Sequence, residues 1–165
     1  MKIRIAEVAD LPRIVEIYNQ AVRSGRSTAD LIPVEVTARQ GWFDQHRPEK
    51  YPIVVIENDQ RVLGWCSLSA YRFGRAALRY TAEISYFIDQ GHRRQGLATA
   101  LLARAIGCCP RLEIKNLLAI VLEWNQPSIG LLTRMGFQKW GFLPRVADFN
   151  GQECGHFYYG LRVSP

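Results

Sequence analysis

Residues 86–99 read Tyr86-Phe87-Ile88-Asp89-Gln90-Gly91-His92-Arg93-Arg94-Gln95-Gly96-Leu97-Ala98-Thr99. An apolar, β-prone run enters a turn carrying two arginines and two glycines, and a helix-prone run leaves it. A helix that opens in this way presents unpaired backbone N–H groups and the positive end of its dipole, which together suit a phosphate. Gly96 admits close approach of a ligand to the backbone, and Ala98 is small enough to do the same. The ending is not the Gly-Lys-Ser/Thr of a P-loop, and the glycine spacing is not that of a dinucleotide turn. On its own the segment also fits an ordinary strand-to-helix turn with solvated arginines.

Outward from this turn the chain alternates strands and helices. Residues 2–7 form a short strand. Asp10 is placed as an N-cap with Pro12 in the first turn, and Leu11, Ile14, Val15, Tyr18 and Val22 follow at helical spacing. Residues 24–34 are polar and irregular, and Thr37 caps a second helix carrying Trp42 and Phe43. Ile53 to Ile56 and Val62 to Leu68 flank the turn Asn58-Asp59-Gln60 as a hairpin. An arginine-rich interruption at 72–79 precedes a strand from Tyr80 to Ile88. The helix after Gly96 runs to Cys108, where Pro110 stops it. Leu117 to Leu122 is apolar throughout, as in a strand covered on both faces. Pro127 opens a short helix ending at Gly136, and strands at 137–143 and 157–163 complete the chain. The order β-α-α-β-β-β-α-β-α-β-β predicts an α/β (α+β) fold, a mixed sheet with helices on both faces.

At 165 residues the chain is expected to form one domain, 1–165, with a core large enough to need no disulfide or metal. No apolar run is long enough to span a bilayer, and the polar N-terminus is unlike a signal peptide. The net charge is +6, and all but four of the 21 cations are arginines. Such a balance points to a polyanionic partner or to solubility alone. There is no basic stripe interleaved with aromatics and no helix-turn-helix pattern, so nucleic acid is not expected. Cys66, Cys108, Cys109 and Cys154 lack zinc spacing, so no metal is expected. Unpaired thiols favour a reducing, cytoplasmic setting.

Arg93-x-x-Gly96-x-Ala98 resembles the pyrophosphate signature of the GNAT acetyltransferase superfamily. Asn125-Gln126-Pro127-Ser128 is similar to that family's Asn-x-x-Ser/Ala element, and Met135-Gly136-Phe137 to its Leu-Gly-Phe/Tyr ending. Ile3-Arg4-Ile5-Ala6-Glu7 with Asp10 resembles its opening strand and cap. Within the family, Ile17-Tyr18-Asn19, Thr28-Ala29, Trp42-Phe43, Tyr51-Pro52 and Thr81-Ala82-Glu83 look like the phosphinothricin and methionine sulfoximine acetyltransferases. The resemblance implies a twisted, mostly antiparallel sheet and acetyl-CoA as co-substrate, and homodimers are common among such relatives.

It also implies site residues. Main-chain groups of Tyr86, Phe87 and Ile88 would bind the pantetheine arm. The turn Arg93, Arg94, Gln95, Gly96, Leu97, Ala98 and Thr99 would hold the pyrophosphate. Asn125 and Ser128 would complete the cofactor site, although Asn125 also reads as a helix cap. Glu83 matches the proposed general base; the alternative is a structural carboxylate paired with an arginine. Arg75, followed by Arg72 and Arg79, would bind the carboxylate of an amino-acid-like acceptor through a guanidinium fork, or stand solvated on the surface.

Two departures stand out. The family's thiol-protonating tyrosine, seven residues after the asparagine, is here Leu132, which leaves Tyr158, Tyr159 or water as proton donors. Gly155 replaces an Asp often found in the narrower group, with His156 beside it as a base, a ligand or a packing residue. The reaction implied is acetyl transfer to the primary amine of a small amino-acid-like molecule. Acetylation of a peptide or protein N-terminus, and a CoA-binding module without catalysis, are the alternatives.

Overall fold

The computed structural model describes residues 1–164. The elements are β1 (Lys2–Ile5), α1 (Leu11–Ser24), α2 (Val36–Asp44), β2 (Ile53–Asn58), β3 (Arg61–Ala70), β4 (Thr81–Ile88), α3 (Leu97–Cys108), β5 (Asn116–Leu122), α4 (Gln126–Arg134), β6 (Gln138–Phe149) and β7 (Gln152–Arg162). The seven strands form one sheet in the order β1-β2-β3-β4-β5-β7-β6. Neighbouring strands run antiparallel except β4 and β5, which are parallel. A parallel pair needs a crossover, and α3 supplies it. Among the described residues no helix is long and apolar enough to cross a membrane, and all four cysteines are free.

Period-two alternation assigns each side chain to a face. On β2, Ile53 and Val55 pack with Ile14 and Ile17 of α1. Val54 and Ile56 pack instead with Leu97, Leu101 and Leu102 of α3. The sheet is therefore sandwiched, with α1 and α2 on one side and α3 and α4 on the other. The same alternation divides β4. Ala82 and Ile84 enter the α3 core, while Phe87 joins the α1 cluster through Trp65 and Tyr18, with ring centroids 5.0 Å from each.

Several boundaries differ from the sequence reading. β1 stops at Ile5. α2 begins at Val36, and its N-cap is the extended Glu35 rather than Thr37. Asp10 holds the cap position of α1 without bonding to that helix. Its carboxylate instead accepts from the Glu7 N–H and pairs with Arg4, both before the helix. The final hairpin is longer than expected because Asn150 (φ 55°) and Gly151 (φ 95°) form a two-residue turn of positive φ. Such a turn matches strand twist, so pairing continues from Phe142↔Phe157 to Phe149↔Gln152 despite irregularities around Pro144.

β4 and β5 pair over only three positions, Thr81↔Asn116, Ala82↔Leu117 and Glu83↔Leu118. Beyond these both strands continue, to Ile88 and Leu122, without a shared ladder. The sheet thus opens in its middle, directly after Glu83.

Candidate active site

Two cavities meet at this opening. One, of about 510 Å³, lies on the α1/α2 face, bordered by Tyr18, Arg39, Trp42, Ser69, Glu83, His156 and Tyr158 among others. The second, of about 660 Å³, lies toward α3 and α4. Ser27, Ser85, Phe87 and Ile120 border both. The two spaces therefore meet along the unpaired stretches of β4 and β5.

The second cavity is built for an anionic, extended ligand. At its mouth Gly96 has φ +78°, a conformation costly for other residues, and a Cβ there would meet no atom within 4 Å. α3 starts at Leu97 with no side-chain cap. The N–H groups of Leu97, Ala98 and Thr99 come before the first intrahelical bond, from Ala100 N–H to the Gly96 carbonyl at 3.0 Å. Arg93 and Arg94 add positive charge, and Arg94 is itself turned to φ 60°. This geometry fits a pyrophosphate. Of the residues expected to hold the cofactor, all but Gln95 border this cavity: Tyr86, Phe87, Ile88, Arg93, Arg94, Gly96, Leu97, Ala98, Thr99, Asn125 and Ser128. Asn125 is also a cap, since its Oδ1 accepts from the Ser128 N–H at 3.4 Å.

The turn is fastened to α1 by a buried carboxylate. Asp89 Oδ1 accepts from Gln20 Nε2 at 2.8 Å and lies 2.9 Å from an Arg13 nitrogen. Its Oδ2 lies 2.6 Å from His92 Nδ1. Burial alone would raise the Asp89 pKa, but hydrogen bonds from Gln20, His92 and Arg13 outweigh it and hold the group at about 2. Gln20 in turn accepts from the Gln90 N–H at 2.8 Å. No local pattern announces this cluster, because Gln20 and Asp89 are 69 residues apart.

In the first cavity Glu83 has no salt bridge or hydrogen bond from its side chain among the described residues. Among the described residues no arginine is paired with it. Burial raises its pKa from the ordinary carboxylate value. His156 borders the same cavity, and burial lowers its pKa. Arg72, Arg75 and Arg79 are exposed in the β3–β4 connection and border neither cavity. Arg79 donates to the Ala76 carbonyl at 2.8 Å and stacks 4.2 Å from the Tyr80 ring centre. The cation in the cavity wall is Arg39, which lies over Tyr18 (4.7 Å) and Trp42 (5.7 Å) and reaches Asp30 at 3.3 Å. Its one sequence signal is Trp42, one helical turn away.

Both departures have structural explanations. Leu132 is fully buried in the core. At Gly155 an added Cβ would lie 2.5 Å from the Phe142 ring, so no larger residue fits beneath it.

Residues 11–137 match the Acetyltransferase (GNAT) family. The chain belongs to that family. It is an acetyltransferase, and acetyl-CoA is its co-substrate. An L-methionine sulfoximine/L-methionine sulfone acetyltransferase of Pseudomonas aeruginosa is 34% identical, covering 99% of this chain and 95% of its own. YwnH of Bacillus subtilis, whose name provisionally makes it a phosphinothricin acetyltransferase, is 37% identical over 99% of this chain and 96% of its own. A GNAT phosphinothricin acetyltransferase from Sinorhizobium meliloti, solved with acetyl-CoA, superposes with a TM-score of 0.91 at 27% identity, covering 98% and 87% of the two chains.

Proposed function

We propose that this acetyltransferase moves acetyl from acetyl-CoA to the primary amine of a small amino-acid-like molecule of the phosphinothricin or methionine sulfoximine type. The observation that carries the reading is the junction of the two cavities where β4 leaves β5, directly after Glu83. One cavity has the positive, glycine-lined turn for the phosphates. The other has a carboxylate, aromatic walls and an arginine for the acceptor.

An ammonium has no lone pair, so a base must remove a proton before attack. Glu83 is that base, acting directly or through water. Its burial raises its basicity toward the range needed. The neutral amine adds to the thioester carbonyl, the C–S bond breaks, and the amide and free CoA leave. Arg39 stands on the wall of the acceptor cavity. Arg75 lies outside that wall on the exposed β3–β4 connection, which leaves β3 at Ala70, the register partner of Ala82 beside Glu83, and meets the carboxylate of an acceptor that extends beyond the cavity. Exposed Trp140, Phe142, Leu143 and Val146 on the edge strand β6 support pairing of two copies. The free cysteines accord with a cytoplasmic setting.

The test is release of free thiol from acetyl-CoA against phosphinothricin, methionine sulfoximine, methionine sulfone, common amino acids and short peptides. Turnover confined to the first three supports the proposal. Turnover confined to peptides would replace it with N-terminal acetylation, and CoA binding without turnover would make the protein a binding module.

A further inference from the structure

Thioester cleavage leaves charge on sulfur, and position 132 cannot help to stabilise it. Leu132 has no polar atom and is sealed in the core. Of the tyrosines near the end of the chain, Tyr159 is packed in the same core and Tyr158 borders the acceptor cavity on the opposite face of the sheet.

Tyr86 occupies a different place. Alternation along β4 sets it on the α3/α4 face, opposite Glu83, Ser85 and Phe87. Its ring packs against the core, and its hydroxyl forms a short hydrogen bond with the Ser128 hydroxyl on α4. Both residues border the cofactor cavity, and Tyr86 lies on the part of β4 that has separated from β5. Nothing but strand alternation brings this phenol there; at a position on the other face it would line the acceptor cavity.

We propose that Tyr86, oriented by Ser128, donates the hydrogen bond that stabilises the CoA sulfur as it departs. The inference rests on the acetyl-CoA reading above. In the step, the C–S bond breaks and sulfur keeps the electron pair as a thiolate. The second proton of the attacking nitrogen passes to water, because Glu83 already holds the one it took from the ammonium. The phenolic O–H remains intact and points its hydrogen at the sulfur. Ser128 donates to the phenolic oxygen, which leaves that hydrogen free. Burial pushes the Tyr86 pKa up to about 12, so the group holds its proton throughout the working range. Solvent protonates the thiolate on release.

The experiment compares wild type with Tyr86→Phe, using CoA itself as the probe. Calorimetry gives CoA affinity, and the ultraviolet absorbance of the thiolate gives the acidity of bound CoA at a series of pH values. A hydrogen bond to a charged group is worth on the order of 10–100-fold. Tyr86→Phe should make the bound thiol about tenfold or more less acidic and lower kcat on the order of 10–100-fold, with CoA affinity within about twofold of wild type. Ser128→Ala, which removes the orienting partner and keeps the ring, should shift the thiol in the same direction. Unchanged thiol acidity in Tyr86→Phe would overturn the inference, as would a loss confined to CoA affinity, which would make the residue an anchor for the pantetheine arm. Failure of the wild type to bind CoA would instead overturn the reading of the cleft, and the inference with it.

Discussion

Ser69 and Glu83 stand opposite one another across the β3–β4 ladder, and Ser69 is held in turn by His46. His46 Nδ1 lies 2.7 Å from the Trp42 carbonyl, which can only accept, so Nδ1 carries the hydrogen. Nε2 is then free to accept from the Ser69 hydroxyl at 3.1 Å. Burial lowers the His46 pKa, which favours the neutral ring this arrangement needs. The part of the wall formed by Ser69 and His46 is thus polar but uncharged, and it leaves the Glu83 carboxylate unpaired.

Glu83→Gln keeps the shape of the side chain and removes its basicity. Turnover should fall by about 10²–10⁴, while CoA affinity stays near wild type because the cofactor meets the other cavity. A carboxylate is active only above its pKa, and burial raises that of Glu83. The wild-type rate should therefore climb with pH through an ionisation above the ordinary carboxylate range. The same profile in the variant, at near-full turnover, would make Glu83 structural.

Gly96→Val places a branched side chain at φ +78°, directed into open space at the mouth of the cofactor cavity. The left-handed conformation should cost about 1–2 kcal/mol of stability, visible as a lower Tm. The larger effect should be on binding, because the Cβ stands where phosphate must meet backbone. Calorimetry on the folded variant should show CoA affinity lost; retained affinity would remove the pyrophosphate from this turn.

Arg75→Ala should raise the acceptor KM by on the order of 1.5–3 kcal/mol of lost binding, the worth of one charge-assisted contact. The KM for acetyl-CoA should hardly change. Arg39→Ala is the necessary comparison, because Arg39 already borders the cavity. Should the acceptor KM respond to Arg39 alone, the carboxylate is recognised from α2 and the β3–β4 connection is surface.

Asp89→Ala removes the acceptor shared by the half-buried donors Gln20, Arg13 and His92. The expected loss is about 1–3 kcal/mol, read by denaturant unfolding. The pH dependence follows from the lowered pKa. A carboxyl that is more acidic when folded stabilises the fold above its unfolded pKa, near 4, and loses that contribution as pH falls toward its folded value of about 2. Wild type should weaken across this acid window, and the variant should lack that component.

Local chemistry in the chain determined a good deal. The β-branched runs, Pro12, Pro127, Gly96 and Gly136 encode the order of elements, because torsional preference and side-chain period are properties of neighbouring residues. Asn150-Gly151 encodes the long final hairpin just as plainly, although the strands read from apolar residues alone come out too short. The glycine turn ahead of α3 was legible for the same reason, since its unpaired N–H groups belong to consecutive residues. Pairing across the sheet was decided elsewhere. That β4 and β5 part after Glu83 depends on β5 finding β7 along its other edge. That Arg39 borders the acceptor cavity while Arg75 stays exposed depends on how α2 lies over Trp65. Tyr86 meets Ser128 across 42 residues only because strand alternation and the seat of α4 coincide. No local preference of a residue encodes its distant neighbour; burial and ladder pairing do, and they exist only once the sheet has closed on its helices.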